Sequence, residues 1–172
     1  KKEGMELILV IPAYHQGHDL FTANEYKELS PYVHRFSLMT YDHSNAQKPG
    51  PNAPIKWVEQ CVKMLLEEGG NKPEKLLVGM NLYGNDFTLP KGGGAIIYRD
   101  YLKLLEAQKP KLKWDKEAKE HYFTYKGAGF NHKVYYPTLE SIQARIDLIA
   151  KYKCGISLWE IGQGFDYFYD LL

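Results

Sequence analysis

Four short apolar segments, separated by helix-like patterns, constrain the fold of this 172-residue chain more than any other feature. The segments are MELILVIPAY, RFSLMTYD, KLLVGMNLYG and CGISLWEIG, at residues 5–14, 35–42, 75–84 and 154–162. The first contains a continuous apolar run from Leu7 to Ile11, which is typical of a strand buried on both faces. Strands that alternate with helices predict βα units and a parallel sheet.

Each segment also runs into polar or aromatic residues at its C-terminal end. Parallel α/β barrels carry their active sites at this end of the strands, so the pattern predicts a functional site there. The residues that follow the four apolar stretches are, in chain order, Tyr14, His15, Tyr41, Asp42, Asn81, Tyr83, Trp159 and Glu160.

Helix signals lie between the predicted strands. A short helix is expected at about residues 23–29. A longer one is expected to begin with Asn52 as its N-cap and Pro54 in its first turn, and to end at Gly69-Gly70. The last helix precedes the fourth strand, with Lys151 near the negative end of its dipole. Apolar residues at helical spacing predict the packing faces, which consist of Trp57, Cys61, Met64 and Leu65 in one helix and Leu139, Ile142, Ile146 and Ile149 in the other.

The connection from residue 85 to about residue 136 is too long for a simple crossover. Gly92-Gly93-Gly94 predicts a turn, and a helix that presents Ile97 and Tyr101 on one side is expected to end at Pro110. HYFTYKGAGFNHKVYY then predicts two strands around a glycine-containing turn. The connection is therefore interpreted as a small α+β insertion beside the sheet.

Charge and composition exclude several classes of partner. The 22 basic residues nearly cancel the 21 acidic ones, which argues against nucleic acid or an anionic membrane as the main partner. The apolar stretches are too short to span a bilayer. Cys61 and Cys154 fit no metal spacing, and the sequence does not decide whether either is disulfide-bonded. The chain has 14 tyrosines, whose rings could stack on sugars or could simply cover exposed faces of strands and helices.

The ordered segments resemble glycoside hydrolase family 18, the chitinases and chitinase-like lectins. SLMTYDH resembles the sixth strand of that family, VGMNLYG the seventh and GISLWEIGQGFD the eighth. The resemblance implies that residues 1–172 are the C-terminal half, strands five to eight, of a (β/α)₈ TIM barrel with an insertion at about residues 85–136. Because a whole barrel takes about 250 residues, roughly a hundred or more are expected before Lys1.

Within the family, MTYDHSNAQKPGPNAP and WEIGQGFDYFYDLL resemble the stabilin-interacting, chitinase domain-containing branch. That resemblance implies a lectin-like protein that is secreted or lysosomal, with a possible protein receptor. Two positions depart from the family pattern. Asn81 stands where proline is usual in the seventh strand, and Pro137 stands where many members have aspartate.

Hydrolysis in family 18 is assisted by the acetamide group of the substrate and needs an acidic motif that ends in a proton-donating glutamate. No such motif occurs in this chain, so the resemblance assigns it no catalytic residue. It assigns Trp159 as the aromatic floor of a sugar subsite, although a tryptophan filling the barrel core is the alternative. Tyr41 is the expected donor to the acetamide oxygen.

Other strand-end residues complete the predicted ligand site. Asp42 is expected to accept a sugar hydroxyl or to orient Tyr41, or else to cap the following loop. Met39 is expected to line the base of the cleft. Asn81 and Tyr83 share one face of the third strand and could bind sugar hydroxyls, although a structural hydrogen bond is equally consistent with Asn81.

Glu160 would point away from Trp159 in a regular strand, so a salt bridge behind the sheet is favoured over catalysis. His15, His18 and His43 are too scattered for a metal site. The sequence thus predicts neither a metal nor a cofactor.

The leading functional hypothesis is a non-hydrolytic binder of N-acetylated, chitooligosaccharide-like glycans. One alternative is an active glycosidase whose acid lies upstream of Lys1. The other is a protein-interaction module that uses its surface rather than a cleft.

Overall fold

The computed structural model of the chain describes residues 4–15 and 20–172. His18 therefore lies outside the described residues. In chain order the elements are β1 (Ile8–Pro12), α1 (Ala23–Leu29), β2 (Arg35–Met39), α2 (Ile55–Lys63), β3 (Leu76–Asn81), β4 (Gly84–Leu89), β5 (Gly93–Ile96), α3 (Tyr98–Gln108), β6 (Lys113–Asp115), β7 (Glu120–Gly127), β8 (Phe130–Tyr135), α4 (Leu139–Lys151) and β9 (Gly155–Trp159). A π-helical segment, Met64–Glu68, continues α2, and 3₁₀ turns cover Pro73–Lys75 and Asp166–Leu171.

The four predicted strands form one parallel sheet in the order β1-β2-β3-β9, which confirms the α/β class and the parallel pairing. One face of the sheet is covered by the helices, and its side chains form the core with α1, α2 and α4. The buried residues on that face are Ile11, Phe36, Leu38, Leu76, Val78 and Met80.

The other face of the sheet carries smaller and polar side chains. Ser37 Oγ donates to Ser157 Oγ at 3.0 Å, which links β2 to β9 across β3. At the β1 edge of this face, Ile8 is 45% exposed and Val10 is 58% exposed. The described residues therefore leave an apolar strip uncovered on the face opposite the helices.

The helices agree with their predicted positions except at two termini. Helix α1 spans the predicted residues because Thr22 and Glu25 form a capping box at its start. The N-cap of α2 is Pro54, not Asn52, because the Asn52 side chain accepts the N–H of Asp42 instead of a helix N–H. In α4 the predicted packing residue Leu139 is exposed, and it is the first residue of the helix.

The insertion is a five-stranded antiparallel sheet in the order β5-β4-β8-β7-β6, with α3 packed against it. The predicted hairpin is β7–β8, and the predicted helix is α3. The prediction that Gly92-Gly93-Gly94 forms only a turn was wrong, because Gly93 and Gly94 belong to β5. Gly93 has a φ of 82°, and a Cβ there would lie 1.9 Å from the Asp86 carbonyl oxygen, so the tight pairing with β4 requires glycine.

Candidate functional site

Tyr41 follows β2 at the C-terminal end of the parallel sheet. Its ring lies against Gly79 of β3, where an added Cβ would be 2.9 Å from Tyr41 Cε1. Among the described residues its hydroxyl has no hydrogen-bond partner. Burial, and secondarily the charge of Asp42, raises the pKa of Tyr41, so the phenol keeps its proton and can donate a hydrogen bond.

Asp42 adopts the left-handed conformation, with a φ of 58°. Its N–H donates to Asn52 Oδ1 at 2.6 Å, and its carboxylate accepts the hydroxyl of Tyr83. The side chain is otherwise exposed. Asp42 thus orients Tyr83 rather than Tyr41, and its second carboxylate oxygen is available to a ligand.

Tyr83 is buried, and its ring meets that of Tyr41 edge to face, with 6.4 Å between the centroids. Burial raises its pKa strongly, and the hydrogen bond to Asp42 adds to the rise. Asn81 Nδ2 donates to the Tyr83 carbonyl oxygen at 2.7 Å. Asn81 therefore makes the structural hydrogen bond that was the alternative to sugar binding, and the Tyr83 hydroxyl is already paired.

Trp159 ends β9 and pairs in register with Asn81 on β3. Its side chain is 52% exposed, so it does not lie in the core formed by the described residues. Met39 ends β2 on the same face of the sheet and is half-buried. The six predicted ligand residues therefore gather at the ends of β2, β3 and β9, and their role in binding stays a prediction.

The structure tests the predictions made for Glu160 and for the histidines. Glu160 forms no ion pair within the part of the chain that the structure describes, and its carboxylate accepts from Gln163 Nε2 at 3.2 Å. The expected salt bridge was wrong because β9 ends at Trp159, so strand alternation does not extend to Glu160. His15 and His43 are not scattered as predicted, because their rings stack with 6.2 Å between the centroids. His43 also packs edge-on against Trp57, and burial lowers the pKa of His43. Over residues 4–15 and 20–172 no three metal-ligating side chains converge.

Sequence reasoning missed a buried polar network behind the site. Glu120 and Arg145 form an ion pair, and Glu120 accepts the backbone N–H groups of Asn52 and Ala53. The sequence did contain a signal, because Arg145 shares the apolar face of α4 with Ile142 and Ile149. A charged residue on such a face usually has a buried partner.

A cavity of about 670 Å³ lies in the outer helical layer, between α1 and α2. None of the six predicted ligand residues lines it. Most of its lining residues are charged or polar side chains of the two helices, so the strand ends remain the better candidate site. No helix in the described ranges has the length and hydropathy of a membrane span.

Comparison with known proteins identifies a family. The model for Glycosyl hydrolases family 18 matches residues 1–164. The chain is 29% identical to the cortical fragment-lytic enzyme of Bacillus subtilis over 95% of its length, but it covers only 40% of that enzyme. Its fold is similar to a chitinase of Chromobacterium violaceum, with a TM-score of 0.86 and 26% identity over 98% of this chain and 55% of that one.

A more distant structure, a chitinase of Cycas revoluta solved with (GlcNAc)₃, has a TM-score of 0.78 at 19% identity over 95% of this chain and 53% of that chain. These relatives are bacterial lytic enzymes and chitinases, so they do not support the assignment to the stabilin-interacting branch. They likewise give no support to a protein receptor.

Proposed function

Because the chain belongs to the glycosyl hydrolases family 18, we propose that it is the C-terminal part, strands five to eight, of a (β/α)₈ barrel whose cleft binds an N-acetylated glycan. The uncovered apolar face at Ile8 and Val10 supports this arrangement, since the first half of a barrel would bury it. The chain spans less than half the length of the curated relative, which is also consistent with a longer domain.

The observation that carries glycan binding is the position of the Trp159 indole and the Tyr41 phenol at one end of the parallel sheet, the phenol having no hydrogen-bond partner among the described residues. Trp159 and Tyr41 lie at the C-terminal ends of strands that flank β3, so both face the same edge of the sheet. An aromatic face can stack on a pyranose ring, and a protonated phenol can donate to an acetamide oxygen. Asp42 adds an acceptor for a sugar hydroxyl.

The test is a titration of chitooligosaccharides against the complete polypeptide that contains these residues. We expect Trp159→Ala to weaken binding by about tenfold, because an aromatic contact is worth up to about 1.5 kcal/mol beyond the area that it buries. Tyr32→Ala is the matched control, since Tyr32 is an exposed aromatic residue just before β2, at the opposite end of the strands. Equal affinity of Trp159→Ala and wild type would refute the proposal.

Whether the complete domain also cleaves the glycan is a separate question. We propose lectin-like binding without hydrolysis as one form of the function, because the acidic motif that supplies the proton donor in this family does not occur among these residues. The names of the relatives favour the second form, a glycosidase whose acid is supplied upstream. Incubation with chitin and with peptidoglycan separates the two, because only the glycosidase releases new reducing ends. Export to the cell exterior or a lysosome stays a prediction.

A further inference from the structure

The ion pair behind the site is almost fully buried. Arg145, on α4, is 6% exposed, and Glu120, the first residue of β7, is 8% exposed. Arg145 Nη2 lies 3.1 Å from Glu120 Oε1. The guanidinium also donates to the carbonyl oxygens of Lys119 at 2.7 Å and Ser141 at 2.8 Å. The pair therefore joins the insertion to the last helix.

Glu120 holds the loop between β2 and α2. Its Oε2 accepts the Asn52 N–H at 2.9 Å, and its Oε1 accepts the Ala53 N–H at 2.7 Å. Arg145 donates to the Ala53 carbonyl oxygen from the other side. Both backbone groups of Ala53 are thus fixed by one ion pair, and the Asn52 backbone is fixed with them.

The fixed loop in turn holds the candidate glycan site. The Asn52 carbonyl oxygen accepts the His43 N–H at 2.8 Å, and its side-chain oxygen accepts the Asp42 N–H at 2.6 Å. These two bonds hold Asp42 in the left-handed conformation, which is uncommon for residues other than glycine but which aspartate tolerates better than most. The Asp42 carboxylate then accepts the Tyr83 hydroxyl, and the Tyr83 ring contacts that of Tyr41.

We propose that Glu120 and Arg145 are positioning residues of the glycan site, which set the orientation of Asp42 and Tyr83 through Asn52. This inference rests on the proposed function. The competing account is that the pair only fastens the insertion to the sheet. A buried ion pair adds little stability over well-packed apolar residues, so replacing both charges together disrupts the fold less than removing one, which leaves the other unpaired.

The test uses the complete polypeptide and the double variant Glu120→Leu/Arg145→Met. We expect it to unfold cooperatively and to bind chitooligosaccharides about tenfold more weakly than wild type, as expected for the loss of one well-oriented hydrogen bond. The control is Glu59→Gln/Lys151→Met, which removes a more exposed ion pair that joins α2 to the same helix α4 but has no bond to Asn52. The control is expected to bind like wild type.

A thermodynamic cycle tests whether the ion pair orients Asp42 or only attaches the insertion to the sheet. In an Asp42→Asn background the double substitution should cost at most about twofold in affinity, because the group that it positions is already altered. An undiminished tenfold loss in that background would overturn the proposal, and so would unchanged affinity of the double variant.

Two further measurements test the inference if the double variant does not fold or if wild type binds no glycan. Asn52→Ala leaves the ion pair intact and cuts the side-chain link to Asp42, so it should reproduce the loss of affinity even where the double variant does not fold. Hydrogen exchange of the Asp42 and His43 amides should accelerate in the double variant and not in the control. Unchanged exchange rates in the double variant overturn the positioning role, whether or not a glycan binds. If exchange accelerates in the double variant but wild type binds no glycan, only the proposed function is refuted.

Discussion

Removal of a single hydroxyl, at Tyr41 or at Tyr83, gives two variants that are both expected to lose affinity for the glycan but to differ in stability. The Tyr41 hydroxyl has no partner in the described ranges, so Tyr41→Phe leaves no internal group unsatisfied. We expect its free energy of unfolding to stay within about 0.5 kcal/mol of wild type. If the phenol donates to a glycan, the complex loses one neutral hydrogen bond of about 0.5–1.5 kcal/mol, which corresponds to a loss of affinity of about 2- to 12-fold.

Tyr83→Phe removes the donor to the Asp42 carboxylate. A hydrogen bond to a charged group is worth about 1.5–3 kcal/mol, but Asp42 is exposed and water can replace the donor, so about 1 kcal/mol of stability is the expected loss. Affinity should fall as well, because Asp42 is then free to turn. The two variants differ in that only Tyr83→Phe loses stability.

Chemical denaturation and isothermal titration on the complete polypeptide measure the two quantities, with Tyr32→Phe as the control. The reasoning fails if Tyr41→Phe binds chitooligosaccharides within about twofold of wild type at the resolution of the titration. It also fails if Tyr41→Phe loses more than about 1 kcal/mol of stability, since its hydroxyl would then have an internal partner.

Three other outcomes are expected. Gly79→Ala places a Cβ 2.3 Å from the Leu38 carbonyl oxygen and 2.9 Å from the Tyr41 ring. Urea unfolding should therefore show a loss of about 1–3 kcal/mol in the free energy of unfolding. A variant as stable as wild type would contradict this packing. Burial raises the pKa of Cys61 to about 11, so native protein at pH 8 should resist alkylation there until denaturant is added, as peptide mass mapping can establish. Burial also raises the pKa of Tyr101 to about 12, whereas the phenol ionises near pH 10 in the unfolded chain. The stability that the buried Tyr101 contributes is therefore fully present below pH 10 and is lost as the pH rises toward 12. Wild type should therefore lose about 1.4 kcal/mol more than Tyr101→Phe between pH 9 and pH 11, and equal losses would show that Tyr101 ionises freely.

The parallel sheet could be predicted from sequence because its strands are encoded locally. Runs such as Leu7 to Ile11 are apolar throughout, as a strand covered on both faces requires. Helix α1 is also encoded locally, since Thr22 and Glu25 form a capping box within a few residues of each other. Such signals need no information about distant parts of the chain.

Only part of the antiparallel sheet in the insertion could be predicted from sequence. Strand β5 consists of Gly93, Gly94, Ala95 and Ile96, a composition that favours turns over strands. It is extended because Gly93 fits closely against Asp86 on β4, a contact that the local sequence does not display. The β7–β8 hairpin was found because its turn glycines lie between two aromatic-rich runs.

At the candidate site, sequence reasoning located the residues but not the bonds between them. Asp42 was expected to accept a sugar hydroxyl, to orient Tyr41 or to cap the following loop, whereas in the structure its carboxylate accepts the hydroxyl of Tyr83, 41 residues away. The bond from Asn52 to Glu120 spans 68 residues. Side-chain pairs of this range depend on how the loop and the insertion meet in space, and neither residue type nor spacing specifies that geometry.

The same geometry explains why a charged pair occupies a position that apolar residues could fill. Leucine and methionine would bury as well as Glu120 and Arg145 and would avoid the desolvation of two charges. Neither could accept the N–H groups of Asn52 and Ala53, which would be left unsatisfied at a cost of about 1–3 kcal/mol each unless the loop shifted toward water. Burial raises the pKa of Glu120, and Arg145 together with the two N–H groups opposes that rise. The attraction between the two charges therefore adds little net stability, but by pairing these N–H groups Glu120 and Arg145 define one position of the loop, and through Asn52 one orientation of Asp42.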